Sequence, residues 1–181
     1  EVLKNIKRSN ISTDAYKELI DFGNSSEQSR NKTESAIILA MPGDTKQKHY
    51  ESLRFGIDNN VKTMRMFQAM LLPGTEMASK ETRKKYKFKT KFRIIPGALG
   101  IYNILNKKHS ITEIEEIIVG NNTLSEQDYV DCRIMNLFVS TFYNNSMFEE
   151  IFIMLRAMNI SRYECLLYLK EHQELYSGKI N

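Results

Sequence analysis

The side chains that most often carry catalysis are isolated from one another in this sequence. His49, His109 and His172 have no partner at the spacing of a metal site or a catalytic triad, so we expect each to face solvent from a helix or loop. Cys132 and Cys165 fall within apolar patterns typical of helices, and we expect both to be small core residues. Spacing alone therefore predicts no catalytic residue and no metal ligand.

Two apolar runs that end in Pro-Gly pairs are more informative. Residues 35–41 form an unbroken small or apolar run that ends at Pro42-Gly43, and residues 63–71 form a mixed run that ends near Pro73-Gly74. A run without alternation is typical of a parallel strand covered on both faces. The Pro-Gly pairs could also do no more than form tight turns.

The elements around these runs would place both turns at one edge of a sheet. The sequence predicts a short strand at 3–6, a helix at 12–22 and a second helix at 46–59, so strands and helices alternate. Such alternation implies parallel strands joined by right-handed crossovers, and ligands of parallel α/β folds bind where the strands end. The candidate residues at this rim are Arg8, Ser9, Asn10, residues 41–44 and residues 72–75.

Positive charge is concentrated in one segment. Residues 79–93 contain eight lysines or arginines and one acid, whereas the whole chain carries a formal net charge of only +4. Lysines and aromatic rings alternate between Lys85 and Arg93, which predicts a strand with one cationic face. That face could bind phosphate, a carboxylate or nucleic acid, but we favour a solvated edge because the rings lie opposite the cations.

From about residue 110 the sequence predicts helices only. Ser110, Ser125 and Ser161 each precede an acid by three positions, the spacing of a helix-capping motif. The apolar stretch at 129–143 predicts a central helix, and 148–155 has the spacing of an amphipathic one. No apolar stretch reaches the length of a membrane span, and so few cysteines favour the cytoplasm, our expected location.

Three segments resemble radical S-adenosylmethionine enzymes. Residues 35–45, SAIILAMPGDT, are similar to the fifth barrel strand and its turn, and residues 70–77, MLLPGTEM, to the sixth. Residues 83–102 are similar to the region after the barrel in the subgroup that has a cobalamin-binding domain, and residues 3–10 fit the fourth strand with its polar end. The implied class is α/β, an incomplete (β/α) barrel-type parallel sheet followed by a β-strand and an α-helical C-terminal region.

The resemblance implies three regions and an incomplete enzyme. Residues 1–78 would be the C-terminal half of the partial barrel, 79–109 a basic strand and connector, and 110–181 a helical domain. The cluster-binding Cys-x-x-x-Cys-x-x-Cys loop is absent from the sequence, so we expect that loop and the cobalamin domain upstream of Glu1. The chain would then be an inactive fragment, with an unpaired edge at its first strand.

The family's chemistry supplies the expected cofactors and partners. There a 4Fe-4S cluster reductively cleaves S-adenosylmethionine to a 5′-deoxyadenosyl radical, and in the cobalamin subgroup this supports methyl transfer or rearrangement. The full-length protein would therefore use S-adenosylmethionine, the cluster and cobalamin. Expected partners are the missing N-terminal domains and an unknown small-molecule substrate, with neither nucleic acid nor a membrane. The alternatives are a non-enzymatic module whose basic strand holds an anionic partner, and a helical tail that docks other domains.

The resemblance also implies which residues contact S-adenosylmethionine. The sequence departs from the family at two places: Ala40 stands where a glycine is usual, and Gly97-Ala98 stands where relatives often have Arg-Cys. These differences imply a different substrate or lost activity. The cofactor-binding positions are Arg8 and Asn10 for the ribose or carboxylate, and Ile38, Ala40, Met41, Leu72 and Pro73 for the adenine.

Overall fold

The computed structural model describes residues 2–25 and 33–174. Within them, strands and helices are mixed, which confirms the α/β class. The strands are β1 (Glu34–Leu39), β2 (Thr63–Gln68), β3 (Lys89–Ile104) and β4 (Lys107–Gly120). The helices are α1 (Val2–Asn5), α2 (Thr13–Ser25), α3 (Lys46–Asp58), α4 (Lys80–Tyr86), α5 (Glu126–Phe138), α6 (Glu149–Ala157) and α7 (Arg162–Glu171), with a 3₁₀ turn at Glu76–Ala78 and a π-helical turn at Val139–Tyr143.

The parallel unit forms as predicted. β1 and β2 pair in parallel, in a register that runs from Glu34 opposite Thr63 to Leu39 opposite Gln68. α3 connects them and buries Leu53 completely against the sheet and the C-terminal helices. The predictions of a strand at 35–41, a helix at 46–59 and a strand at 63–71 are therefore confirmed to within a few residues.

Residues 3–6 were predicted to be a strand, but they lie in α1 and in the turn that follows it. A strand needs a neighbour for its backbone groups, whereas a helical turn satisfies them locally. Ile6 N–H bonds to Val2 C=O at 3.3 Å, and Arg8 N–H bonds to Leu3 C=O at 2.9 Å. Among the described residues β1 pairs with β2 alone, so the open sheet edge lies at β1.

The prediction that the 35–41 strand is covered on both faces is wrong. Side chains along β1 alternate between exposed and half-buried until Leu39. Ile38 is 37% exposed and its neighbour Phe67 in β2 is 51% exposed, so one face of the parallel pair is open. Helix α3 packs against the other face.

Residues 110–120 are a strand, where helices were predicted. Ser110 and Glu113 lie in β4, which pairs antiparallel with β3. The serine-to-acid spacing resembles a cap, but the following residues are rich in isoleucine, which packs well on a pleated surface. The basic strand also starts later than predicted, at Lys89, because residues 85–86 end α4. The 109/110 boundary thus falls inside β4.

The two strand pairs are joined by a short antiparallel bridge. Beyond β2, Leu71 N–H bonds to Glu116 C=O and Ile118 N–H bonds to Ala69 C=O, both at 2.9 Å. The local strand order is therefore β1, β2, β4, β3. This bridge holds the segment after β2 against the base of the β3–β4 hairpin.

The C-terminal helices follow the sequence prediction more closely. Ser125 and Ser161 cap α5 and α7, each accepting a hydrogen bond from the backbone N–H three residues later. Cys132 is fully buried, as predicted, whereas Cys165 is half-buried. In the part of the chain that the structure describes, no helix has both the length and the apolar character needed to cross a membrane.

Candidate functional site at the ends of the parallel strands

The same turn follows both parallel strands. In residues 41–44 and 72–75 the last N–H bonds to the first C=O, at 2.9 and 3.2 Å, and the glycine in third position has φ of 82° and 83°. Proline in second place and a positive φ in third define a type II turn. Thr45 and Thr75 then cap the following helical segments through their side chains. Both Pro-Gly pairs therefore form tight turns.

The turn after β1 is held from two sides. Asn5 in α1 donates its side-chain N–H to Pro42 C=O at 3.1 Å, and Asn121 after β4 donates to Met41 C=O at 3.1 Å. Gly43 has φ of 82°, where other residues are strained, and a Cβ there would lie 2.7 Å from the Asn5 amide nitrogen, so the Asn5 side chain would have to move. The turn is therefore a rigid part of the rim.

The Asp44 side chain also stabilises this turn. Its carboxylate accepts hydrogen bonds from Ala40 N–H at 3.1 Å and from Thr45 N–H at 2.9 Å. Burial raises the pKa of Asp44, although the two backbone hydrogen bonds and Lys48 act in the opposite direction. With both oxygens bonded to the backbone, this carboxylate shapes the turn.

The three positions that the family resemblance implies at the end of β1 and just after it differ in exposure. Ile38 presents an exposed side chain. Ala40 is fully buried, with φ of 71° and its N–H bonded to Asp44. Met41 is half-buried and its C=O is used by Asn121 and by the turn. Only Ile38 among them is open to a ligand.

The remaining predicted positions are all exposed. Leu72 is 55% exposed, and Pro73 follows it at the tip of the second turn. Arg8 and Asn10 lie in the segment between α1 and α2, next to Lys7, which forms an ion pair with Glu76 at 2.7 Å. That ion pair brings the N-terminal segment to the region after β2, so the predicted rim residues share one side of the molecule.

The open edge of β1 at Ile38 presents backbone hydrogen-bonding groups. Ala69 N–H bonds to Leu39 C=O at 2.9 Å, which directs the peptide groups of Leu39 towards β2. Because successive residues of a strand direct these groups to opposite edges, the N–H and C=O of Ile38 face the open edge. An adjacent donor and acceptor beside an apolar side chain match the hydrogen-bonding edge and the face of adenine.

Acids from β4 and α5 pair with three of the eight cations in residues 79–93, one of these pairs being Lys89 with Glu126 of α5. Arg83 binds both carboxylate oxygens of Glu116, at 2.5 and 2.6 Å, and Arg93 pairs with Glu115. The hydrogen bond from Arg83 lowers the pKa of Glu116 to about 2. These ion pairs leave fewer free cations on β3 for an anionic partner than the sequence implies.

The prediction that His49 faces solvent is wrong. It is 2% exposed on the inner side of α3, and its Nε2 lies 2.9 Å from Oδ1 of Asn136. Burial lowers the pKa of His49. Among the described residues, His49 Nδ1 and Asn136 Nδ2 have no hydrogen-bond partner. His109 is exposed, as predicted, and His172 stacks on Tyr168.

Neither a metal cluster nor a deep pocket marks the rim. Across residues 2–25 and 33–174, no group of three or more His, Cys, Asp or Glu side chains is placed to hold a metal ion. A cleft of about 580 Å³ lies between α3 and α7, and one of about 690 Å³ is lined by residues of α2, α6 and the end of α3. The predicted rim residues line neither cleft.

Comparisons of this chain with known protein families and with curated proteins give no match. The likeness to radical S-adenosylmethionine enzymes therefore depends on the residues themselves, in the segments 35–45, 70–77 and 83–102.

Proposed function

We propose that this chain is the C-terminal part of a radical S-adenosylmethionine enzyme of the cobalamin-binding subgroup, and that the ends of β1 and β2 form one wall of the adenosyl site. The observation that carries the proposal is the pair of identical type II turns after adjacent parallel strands. Two motifs at separate places in the sequence thus meet at one rim, as ligand sites of parallel α/β folds require.

The open face of the parallel pair supports the partial-barrel part of this proposal. Ala36 and Ile38 in β1 and Phe67 in β2 are exposed on one face, while α3 covers the other. In a (β/α) barrel, one face of each strand packs in the barrel interior and helices cover the outside. The exposed face would be the interior side, and the open edge of β1 at Ile38 would receive the ligand.

Each residue then has a defined task toward the adenosyl group. Ile38 offers an apolar contact and the backbone donor and acceptor at the edge. Leu72 offers a second apolar contact from the turn after β2. Arg8 and Asn10 supply polar groups suited to the ribose or carboxylate. Ala40 and Met41 act through the shape of the turn, because their backbone groups are already bonded.

The radical chemistry would come from groups held outside this chain. A reduced cluster held there would supply the electron that cleaves S-adenosylmethionine. Cys132 is fully buried and Cys165 is half-buried in a separate helix, so neither matches a three-cysteine loop. The proposal therefore assigns the cluster and cobalamin to other parts of the parent protein, and to this chain the binding and shielding of the adenosyl group.

Adenosyl binding can be tested by titrating the isotope-labelled chain with 5′-deoxyadenosine and following backbone amide resonances. We expect saturable changes centred on Ile38 and Leu72, which Ile38→Glu abolishes. Ile151→Glu is the matched control, because Ile151 is also an exposed isoleucine but lies on α6 and lines neither cleft. An absence of changes at millimolar ligand, or changes centred on the two clefts instead, would refute the site.

Catalytic incompleteness has its own test. After iron–sulfur reconstitution of the chain with a strong reductant and S-adenosylmethionine, we expect no 5′-deoxyadenosine above the protein-free blank. Turnover by this chain alone would contradict the assignment of the cluster to another part of the protein.

A further inference from the structure

The far end of the β3–β4 hairpin stands in solvent with apolar side chains on it. Every residue from 101 to 114 is exposed, and no third strand or helix covers this part among the described residues. A two-stranded ribbon is only marginally stable in water unless something packs on it. We define the hairpin tip as residues 99–112, whose large apolar members are Leu99, Ile101, Tyr102, Ile104, Leu105 and Ile111.

Leu105 is the residue of the hairpin tip that folding explains least. Leu105 and Asn106 form the two-residue connection, with φ of 50° and 63°, which is the pattern of a type I′ turn. Such turns favour Asn, Asp and Gly, because other residues are strained at positive φ. Leu105 is also 93% exposed. Folding gains neither turn stability nor burial against the described residues from this leucine, which leaves its apolar side chain available for a contact outside the chain.

The charges of the hairpin tip indicate which kind of surface it would contact. The hairpin tip has no acidic residue, and Lys107, Lys108 and His109 follow the turn directly. Tyr102 lies opposite His109, two register positions behind the Ile104–Lys107 pair. An apolar end, then lysines, then a tyrosine is the order that suits a bilayer surface, where apolar groups enter the acyl boundary while cations and aromatic hydroxyls meet the headgroups.

We propose that the hairpin tip inserts into the interface of a membrane containing anionic lipids. This departs from the sequence expectation of no membrane partner, which followed from the lack of a spanning segment. A spanning segment is not needed for a hairpin that dips only into the interface. The inference is independent of the proposed radical chemistry, because it uses no residue of the β1 and β2 rim.

A second copy of the chain is the less suitable occupant of the same surface. Joining two hairpin tips would bring Lys107 and Lys108 of both copies together without an acid from either tip. Like charges placed together across an interface oppose association. An anionic lipid surface instead attracts each lysine.

Vesicle flotation of the intact chain tests the inference. We expect it to float with vesicles of phosphatidylcholine containing 30% phosphatidylserine, to bind pure phosphatidylcholine far less, and to dissociate as salt rises because salt screens the lysines. Lys107→Gln with Lys108→Gln should weaken binding on the order of twentyfold. The matched control, Lys84→Gln with Lys91→Gln, removes two exposed lysines elsewhere and should weaken it far less.

Two substitutions of Leu105 separate insertion from simple charge attraction. Leu105→Asn suits the turn better, so it should not unfold the chain, yet it should weaken vesicle binding about tenfold through the lost apolar contact. Leu105→Trp introduces the sole tryptophan, since the chain has none. We expect its emission to shift to the blue on anionic vesicles and to be quenched by brominated lipids, whereas Leu137→Trp, at an exposed position on α5, should show neither effect.

Three results would overturn the inference. The first is no flotation at low salt. The second is flotation that Leu105→Asn leaves unchanged and that the two lysine pairs affect equally, which would indicate general charge attraction. The third is a blue shift of Leu105→Trp that appears with protein concentration in the absence of vesicles, which would assign the hairpin tip to a second copy of the chain.

Discussion

Asp44 and Ala40 are linked across the turn that ends β1, because the Asp44 carboxylate accepts a hydrogen bond from Ala40 N–H at 3.1 Å. The bond depends on the left-handed backbone of Ala40, at φ of 71°. The same carboxylate accepts from Thr45 N–H at the start of α3. One side chain therefore fixes both the exit from β1 and the entry to the next helix.

Replacing Asp44 should destabilise the chain, by an amount that depends on how many acceptor oxygens are lost. Asp44→Asn keeps one acceptor oxygen and should lower the free energy of unfolding by about 1 kcal/mol, whereas Asp44→Ala loses both acceptors and should lower it by about 2–3 kcal/mol. Urea unfolding followed by circular dichroism measures both. Asp21→Asn, at an exposed position of α2, is the control and should change little. Equal stability of the wild type and Asp44→Ala would show that the turn does not need the carboxylate.

Ala40→Gly should stabilise the chain. Ala40 occupies the left-handed region that only glycine enters without strain, so we expect a gain of about 0.5–1 kcal/mol. The control is Ala36→Gly, because Ala36 lies in the extended backbone of β1, where glycine should destabilise. Thermal unfolding of the two variants should therefore shift in opposite directions. A loss of stability in Ala40→Gly would contradict the strain argument.

The sequence predicted those parts of the site whose conformation is determined by residues close together in the chain. A Pro-Gly pair fixes a type II turn through the φ preferences of its own two residues, and Ser125 and Ser161 cap helices through the next turn of backbone. Both depend on short segments that contain the whole signal. The strand and helix types around residues 35–71 followed for the same reason.

The parts that sequence missed depend on distant partners. Asn121 supports the turn after β1 across 80 residues of sequence, and the Glu116 backbone bonds to the segment after β2. Ser110 looked like a helix cap because its local spacing is that of a cap, but pairing with β3 decided its structure. Nothing near His49 in sequence indicates that Asn136 lies against it.

Acid should weaken the fold through the Arg83–Glu116 pair. The folded chain holds the Glu116 pKa at about 2, below its usual value of 4.5, so only the unfolded state takes up this proton between those values. The stabilisation is complete above pH 4.5 and is lost as the pH falls towards 2.

Glu116→Gln tests this directly. At pH 7 it should lower the free energy of unfolding by about 2 kcal/mol, the usual worth of a hydrogen bond to a charged group, and it should reduce the loss of stability between pH 4.5 and 3. Urea unfolding at pH 7 and pH 3 gives both quantities. Glu113→Gln, exposed on the same strand, should retain the wild-type pH dependence. An unchanged acid slope in Glu116→Gln would assign the effect to other groups.

The buried His49–Asn136 pair should show strong coupling. Each side chain satisfies the other with one atom and leaves one atom without a partner among the described residues, so each single leucine substitution strands a buried polar group. His49→Leu and Asn136→Leu should each cost about 2 kcal/mol, and the double variant should be no less stable than either single one. Additive single effects in urea unfolding would show that the two side chains do not act as a pair.

Burial, assisted by the Arg133 charge, lowers the pKa of His49. Wild-type stability should therefore fall as the pH drops below 6.5, and His49→Leu should lose that dependence.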